Sequence, residues 1–304
     1  MAIRAALLFC LLFAGCTQFD DPKLTPQDPL LYRSDEVERA GRLVIFVPGS
    51  LTSVVMFDPA DGWSRGRFAD AYYRFPGLDG MPVTPLDIQG AAAQIAAFAN
   101  RYPDKQVALV GYSSGAAIAI LAAAQIQGDR VVPVAAISPA VERGGGMPTL
   151  ARGASDIIRS AARAQSFDPL DVWVEYWQIL LRGRNARPIP EFRERVIETA
   201  RIHRGERDLG PPETRLARSH ARYLSRWELP EDLNLEHVRL RIYVGLEDPV
   251  FSTAQTLRFA RQLGEKQIYG YPGEGHLLYL TQTDVFETAR LFAEDIFETE
   301  AQTR

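Results

Sequence analysis

An apolar run, Gln106 to Val110, leads into Gly111-Tyr112-Ser113-Ser114-Gly115 and then into an alanine-rich stretch, Ala116 to Gln125. That order reads as strand, sharp turn and helix, with a serine at the tip of the turn. A glycine two residues to either side of Ser113 leaves room for the backbone to hold that serine at an unusual angle. Elsewhere, continuous apolar runs alternate with helical stretches, which is how a parallel sheet buried on both faces reads. Strands are expected near 43–47, 72–75, 106–110, 132–137, 240–244 and 266–271, and helices near 87–100, 114–126, 252–263 and 283–298. The last helix carries Val285, Phe286, Ala289, Phe292, Ala293, Ile296 and Phe297 on one face, a core-packing stripe.

A serine hydroxyl is a weak nucleophile at neutral pH and needs a base, which in turn needs an orienting acid. The chain has four histidines, so the search is short. His203 and His220 lie in an arginine-rich, helix-like region, and His237 closes a polar stretch; all three read as solvated or packing residues. His276 follows the strand-like run Lys266 to Tyr271, in the loop Pro272-Gly273-Glu274-Gly275-His276. Upstream, Leu240 to Val244 reads as another buried strand and runs into Gly245-Leu246-Glu247-Asp248-Pro249. Asp248 is the expected acid, with its neighbour Glu247 as the other candidate, and a turn-forming Asp-Pro is the bland alternative.

The order Ser113, Asp248, His276, each after a strand, resembles the α/β-hydrolase superfamily, whose serine, acid and histidine occur in that order along the chain. The resemblance covers roughly residues 41 to 141 and 231 to 300. It implies an α/β fold with a mostly parallel sheet, helices on both faces and a helical cap insertion. It also implies a serine hydrolase cutting a carboxylic ester or related acyl bond, with Ser113, His276 and Asp248 as its catalytic residues and no cofactor. The oxyanion donors would be the N–H groups of Ser114, after the nucleophile, and of Ser50, in the loop Pro48-Gly49-Ser50-Leu51 after an early strand. Family members often carry His-Gly there, and Pro48 replaces that histidine. Acyl transfer, thioester cleavage and cofactor-free peroxidation on the same residues stay open, as does a catalytically silent, membrane-tethered binding protein.

Residues 1–15 read as an address: Arg4 is a positive start, Ala5 to Phe13 is apolar, and Ala14-Gly15 is small before Cys16. The apolar run is too short to span a bilayer. Leu12-Phe13-Ala14-Gly15-Cys16 resembles a bacterial lipobox, with Phe13 where leucine is usual, so Cys16 is the expected lipidation site; an ordinary secretory signal is the alternative. Thr17 in place of an aspartate favours, by that analogy, the outer membrane of the cell envelope, facing the periplasm. Both cysteines, Cys10 and Cys16, lie in this leader, so the body has no thiol nucleophile, thiolate ligand or disulfide. Residues 16–40 are expected to be lipidated N-terminus and tether, with Leu30 to Tyr32 as a possible edge strand.

The expected division is a hydrolase core over 41–141 and 231–304, with a helical cap over 142–230. That cap stretch holds sixteen arginines against twelve acids in a chain of net charge −4. The ester substrate is expected to be a small molecule or a lipid, and a basic, aromatic-bearing cap suits an anionic or amphiphilic substrate, or a phospholipid surface; solvated arginines on amphipathic helices explain the same composition. Nucleic-acid and nucleotide binding are not indicated, because Gly144-Gly145-Gly146 lacks the spacing of a phosphate loop. No sequence pattern of metal ligands, His-Glu-x-x-His included, occurs.

Overall fold

The computed structural model describes residues 28–140, 146–166, 168–187, 189–202, 214–224, 226–264 and 267–303, with only the backbone of 146–150 and 199–202. The leader with Cys16, His203 and the first two glycines of the Gly144–Gly146 run lie outside the described residues. The strands are β1 (Leu30–Tyr32), β2 (Arg42–Val47), β3 (Phe68–Tyr73), β4 (Gln106–Tyr112), β5 (Val132–Ile137), β6 (Val238–Gly245) and β7 (Gln267–Tyr271). They form one sheet in the order β1-β3-β2-β4-β5-β6-β7, with β1 antiparallel to β3 and every other pairing parallel. This is the expected α/β-hydrolase architecture.

Alternation along β2 shows how the sheet is covered. Leu43, Ile45 and Val47 face one core, with helices α3 (Ile88–Asn100), α4 (Ser114–Ala123) and α9 (Thr253–Gln262). Val44 and Phe46 face the other, with α2 (Gly62–Arg65) and α11 (Asp284–Thr303). Both faces are dry, which is why the central strands read as unbroken apolar runs. Short helices α1 (Ser34–Arg39) and α10 (Leu278–Thr281) complete the core. Between β5 and β6 the chain inserts α5 (Gly146–Ala164), α6 (Pro169–Arg182), α7 (Pro190–Ile202) and α8 (Thr214–Leu224). Among the described residues, no helix is long and apolar enough to cross a membrane.

Two expectations about the sheet are corrected. The strand placed near 72–75 is β3, over Phe68–Tyr73. Asp70 interrupts its apolar pattern and hid its start; the strand buries that carboxyl, which pushes its pKa up to about 6 against a hydrogen bond from Tyr72. The core boundary placed at residue 41 moves back, because the alternative given for Leu30 to Tyr32, an edge strand, is present as β1, whose Leu30 is buried and pairs with Tyr73.

Candidate active site

Ser113 sits between β4 and α4 with φ 51° and ψ −118°, a conformation that costs a non-glycine residue energy and persists only where neighbours fix it. Its N–H donates to the Ile137 carbonyl at 2.9 Å, and its own carbonyl accepts from Ala116 at 3.1 Å and Ala140 at 2.9 Å. The flanking glycines are there for contact. A Cβ on Gly111 would overlap the backbone of Gly115 and Ala116, and one on Gly115 would overlap the carbonyl oxygens of Val47 and Pro48. The elbow is therefore clamped to the loops after β5 and β2 by main chain alone.

The loops after β6 and β7 bring the other two residues to it. His276 Nδ1 lies 2.8 Å from Asp248 Oδ2, and His276 Nε2 lies 3.1 Å from Ser113 Oγ. A carboxylate only accepts, so Nδ1 carries the proton and Nε2 is free to accept from the serine hydroxyl. The second carboxylate oxygen of Asp248 accepts the N–H groups of Val250 at 2.7 Å and Phe251 at 3.0 Å, so a turn fixes the acid's orientation. Asp248, rather than Glu247, is bonded to the imidazole. Both partners are buried, and the rings of Tyr112 and Phe251 flank the imidazole at 5.4 and 5.7 Å between centroids. The arrangement can pass a proton from hydroxyl to ring while the buried carboxylate stabilises the charge that forms.

The insertion between β5 and β6 grips both loops. The last carbonyls of α6 have no helical partner, and three N–H groups of the histidine loop use them. Gly275 donates to Leu181 at 2.7 Å, His276 to Leu180 at 2.7 Å and Leu277 to Leu180 at 3.3 Å. A Cβ on Gly275 would overlap the Leu180 carbonyl, so glycine is needed before the histidine. Arg182 bonds the buried Glu274 at 3.1 Å, and Gln282 bonds the same oxygen at 2.9 Å. On the acid side, Arg184 makes a bidentate pair with buried Asp156 at 2.6 and 2.8 Å and donates to the Pro249 carbonyl at 2.6 Å. Nothing in the sequence pattern marked Arg184, Asp156 or Leu180, because each works across elements far apart in the chain. Several insertion arginines thus serve the fold: Arg152 bonds Gln255, Arg163 the Arg184 carbonyl, and Arg193 Asp171.

The two expected oxyanion donors lie beside the elbow. Ser114 opens α4, where no earlier carbonyl of the helix can reach its N–H and the helix dipole favours negative charge. Gly49 packs against the Tyr112 ring so closely that a Cβ there would stand 2.6 Å from it and 3.2 Å from the Ser113 Cβ, which brings the residue before Ser50 against the elbow. His237 bonds the Ala123 carbonyl at 2.9 Å, away from this site. Of the two readings for His220, solvated or packing, the structure gives the second: it is buried, with Nδ1 2.5 Å from Ser50 Oγ. The available signal was its spacing four residues after Leu216, one buried stripe on α8.

A family model described as an alpha/beta hydrolase family matches residues 44–289. No curated protein matches the chain by sequence. Among solved structures, an esterase from Exiguobacterium antarcticum superposes with a TM-score of 0.61 at 16% identity, covering 84% of this chain and 92% of its own. A thermophilic esterase from Thermogutta terrifontis gives 0.60 at 18% identity, over 84% and 91%. An enol-lactonase from Burkholderia xenovorans LB400 gives 0.62 at 14% identity, over 86% and 95%.

Proposed function

Because the chain belongs to the alpha/beta hydrolase family, we propose that it is a serine hydrolase that cuts a carboxylic ester or closely related acyl bond. The observation that carries this reading is the unbroken path Ser113 Oγ, His276 Nε2, His276 Nδ1, Asp248 Oδ2, with links of 3.1 and 2.8 Å. Ser113 Oγ bonds to the acyl carbon as its proton passes to Nε2, and the carbonyl π pair moves onto oxygen. The N–H groups of Ser114 and Ser50 hold that oxyanion. Collapse expels the alcohol, which takes the proton from Nε2 and leaves an acyl-serine. A water then attacks the acyl-serine, giving its proton to Nε2, and collapse returns that proton to Ser113 as the acid departs. Similarity to two esterases and a lactonase agrees with an acyl–oxygen substrate.

The test uses p-nitrophenyl esters of increasing acyl length, alongside a fluorophosphonate probe. Hydrolysis of at least one ester, with the probe located on Ser113, is expected. A folded chain that neither turns over any ester nor reacts with the probe would remove the proposal.

We further propose that the chain is anchored in the bacterial envelope through lipid on Cys16, on the strength of the lipobox-like residues Leu12 to Cys16. One acyl chain binds membranes only reversibly and several hold firmly. Cells fed an alkyne fatty acid should label the wild type, whereas Cys16→Ser should be unlabelled and leave the membrane fraction. Equal fractionation of the two would rule out the anchor.

A further inference from the structure

A second serine–histidine contact lies outside the Ser113, His276 and Asp248 set and has no part in the mechanism above. Ser50 Oγ stands 2.5 Å from Nδ1 of His220, a ring carried into the core by α8. The imidazole is 1% exposed and lies 5.7 Å from the Phe75 ring, centroid to centroid. Burial lowers its pKa to about 4, outweighing a Pro76 carbonyl that favours the charged form. A neutral imidazole has one donor and one acceptor nitrogen, and a hydroxyl both donates and accepts, so either tautomer bonds Ser50.

The loop that carries Ser50 needs such a hold. Leu51, the next residue, has φ 64°, a left-handed conformation that a branched side chain keeps only when its surroundings impose it. At its far end the loop is fixed by Asp79, which accepts from Ser53 Oγ at 2.5 Å and from the Val54 N–H at 3.0 Å. Its near end is the sheet itself, at Val47. Between them, Thr52 bonds the carbonyls of Gly49 at 3.1 Å and Ser50 at 3.4 Å. Those bonds turn the loop without tying it to the rest of the fold, whereas the His220 contact does tie it. Helix α8 in turn seats against the core loop at Gly77, where a Cβ would stand 2.8 Å from Leu216 Cδ1.

We propose that His220 is a positioning residue for the oxyanion loop: by bonding the Ser50 hydroxyl it holds the Ser50–Leu51 turn, and so aims the Ser50 main-chain N–H at the developing oxyanion. Docking of α8, part of the insertion, thereby becomes a condition for full activity. This rests on the serine-hydrolase reading and on Ser50 as a donor. A misaimed oxyanion donor weakens the transition state more than the bound ester, so the loss falls on kcat rather than KM.

The experiment compares full-length wild type with His220→Phe, which keeps a buried ring without the polar atom. It also includes Ser50→Ala, the double variant, and His220→Asn, whose amide places a donor and an acceptor near the Nδ1 position. Rates are normalised to the fraction of Ser113 that a fluorophosphonate titrates at completion. His220→Phe and Ser50→Ala are expected to lose roughly 10- to 100-fold in kcat with KM within about twofold. The double variant should be no worse than the worse single, and His220→Asn should regain most of the loss. A wild-type kcat in His220→Phe, losses that multiply in the double, or an Asn variant as poor as Phe overturns the proposal while leaving the hydrolase reading intact. If His220→Phe does not unfold cooperatively, Ser50→Ala decides alone: a loss in kcat supports the proposal, and a wild-type kcat overturns it. A wild type that neither titrates nor hydrolyses overturns both.

Discussion

Exchanging Ser113 for alanine is expected to lower kcat/KM on a short-chain ester by about 10⁴- to 10⁶-fold and to abolish fluorophosphonate labelling. On the proposed mechanism the exchange removes the atom that bonds the acyl carbon, and it leaves the His276–Asp248 pair, at 2.8 Å, intact. Stability should not fall, because the elbow is held by main-chain bonds to Ile137, Ala116 and Ala140 that alanine retains. Glycine at the same position should be just as inactive and at least as stable as alanine. At φ 51° and ψ −118° a side chain costs about 1–3 kcal/mol, against roughly 0.5–1 kcal/mol of extra unfolded-state entropy for glycine. Activity of Ser113→Ala within tenfold of wild type would mean that another group attacks the ester.

Arg184→Ala is expected to destabilise the protein by about 3 kcal/mol, the low end for stranding one partner of a buried pair, because Arg184 is itself partly exposed. Asp156 loses both of its guanidinium bonds, and the Pro249 carbonyl, next to the acid, loses its donor. The variant should therefore also lose kcat, since Asp248 and His276 must stay aligned to within a fraction of an ångström. Adding Asp156→Leu should recover stability, because no unpaired charge then remains in the interior, but it should not recover kcat, as Pro249 still lacks its partner. Urea unfolding and ester turnover measured on both variants check the two halves separately. Unfolding of Arg184→Ala at the wild-type urea midpoint would show that the insertion's grip on the acid loop is not needed for stability.

Much of the fold could be read directly because its cause is local. Buried parallel strands must be apolar on both faces, so β2, β4 and β5 stand out as runs such as Leu43 to Val47 and Val132 to Ile137. Where a buried strand breaks that rule, as β3 does at Asp70, its start was misplaced. Gly111 and Gly115 are legible for the same reason: close backbone approach tolerates no side chain, whichever partner approaches. Strand ends also point to the site, since loops after parallel strands converge at one edge of the sheet. Ser113, Asp248 and His276 lie in those loops, and the structure sets His276 within hydrogen-bonding distance of each of the other two.

By itself, then, the chain determined its α/β class, the turn that presents Ser113, and the loops in which a base and an acid should be sought, because periodicity, glycine and strand ends act over a few residues. Tertiary structure alone decided that Asp248 rather than Glu247 meets the imidazole, that α6 lends its last carbonyls to the histidine loop, and that His220 reaches back 170 residues to Ser50. Those choices depend on which surfaces meet when the insertion docks, and no short-range pattern of residue types encodes such a meeting.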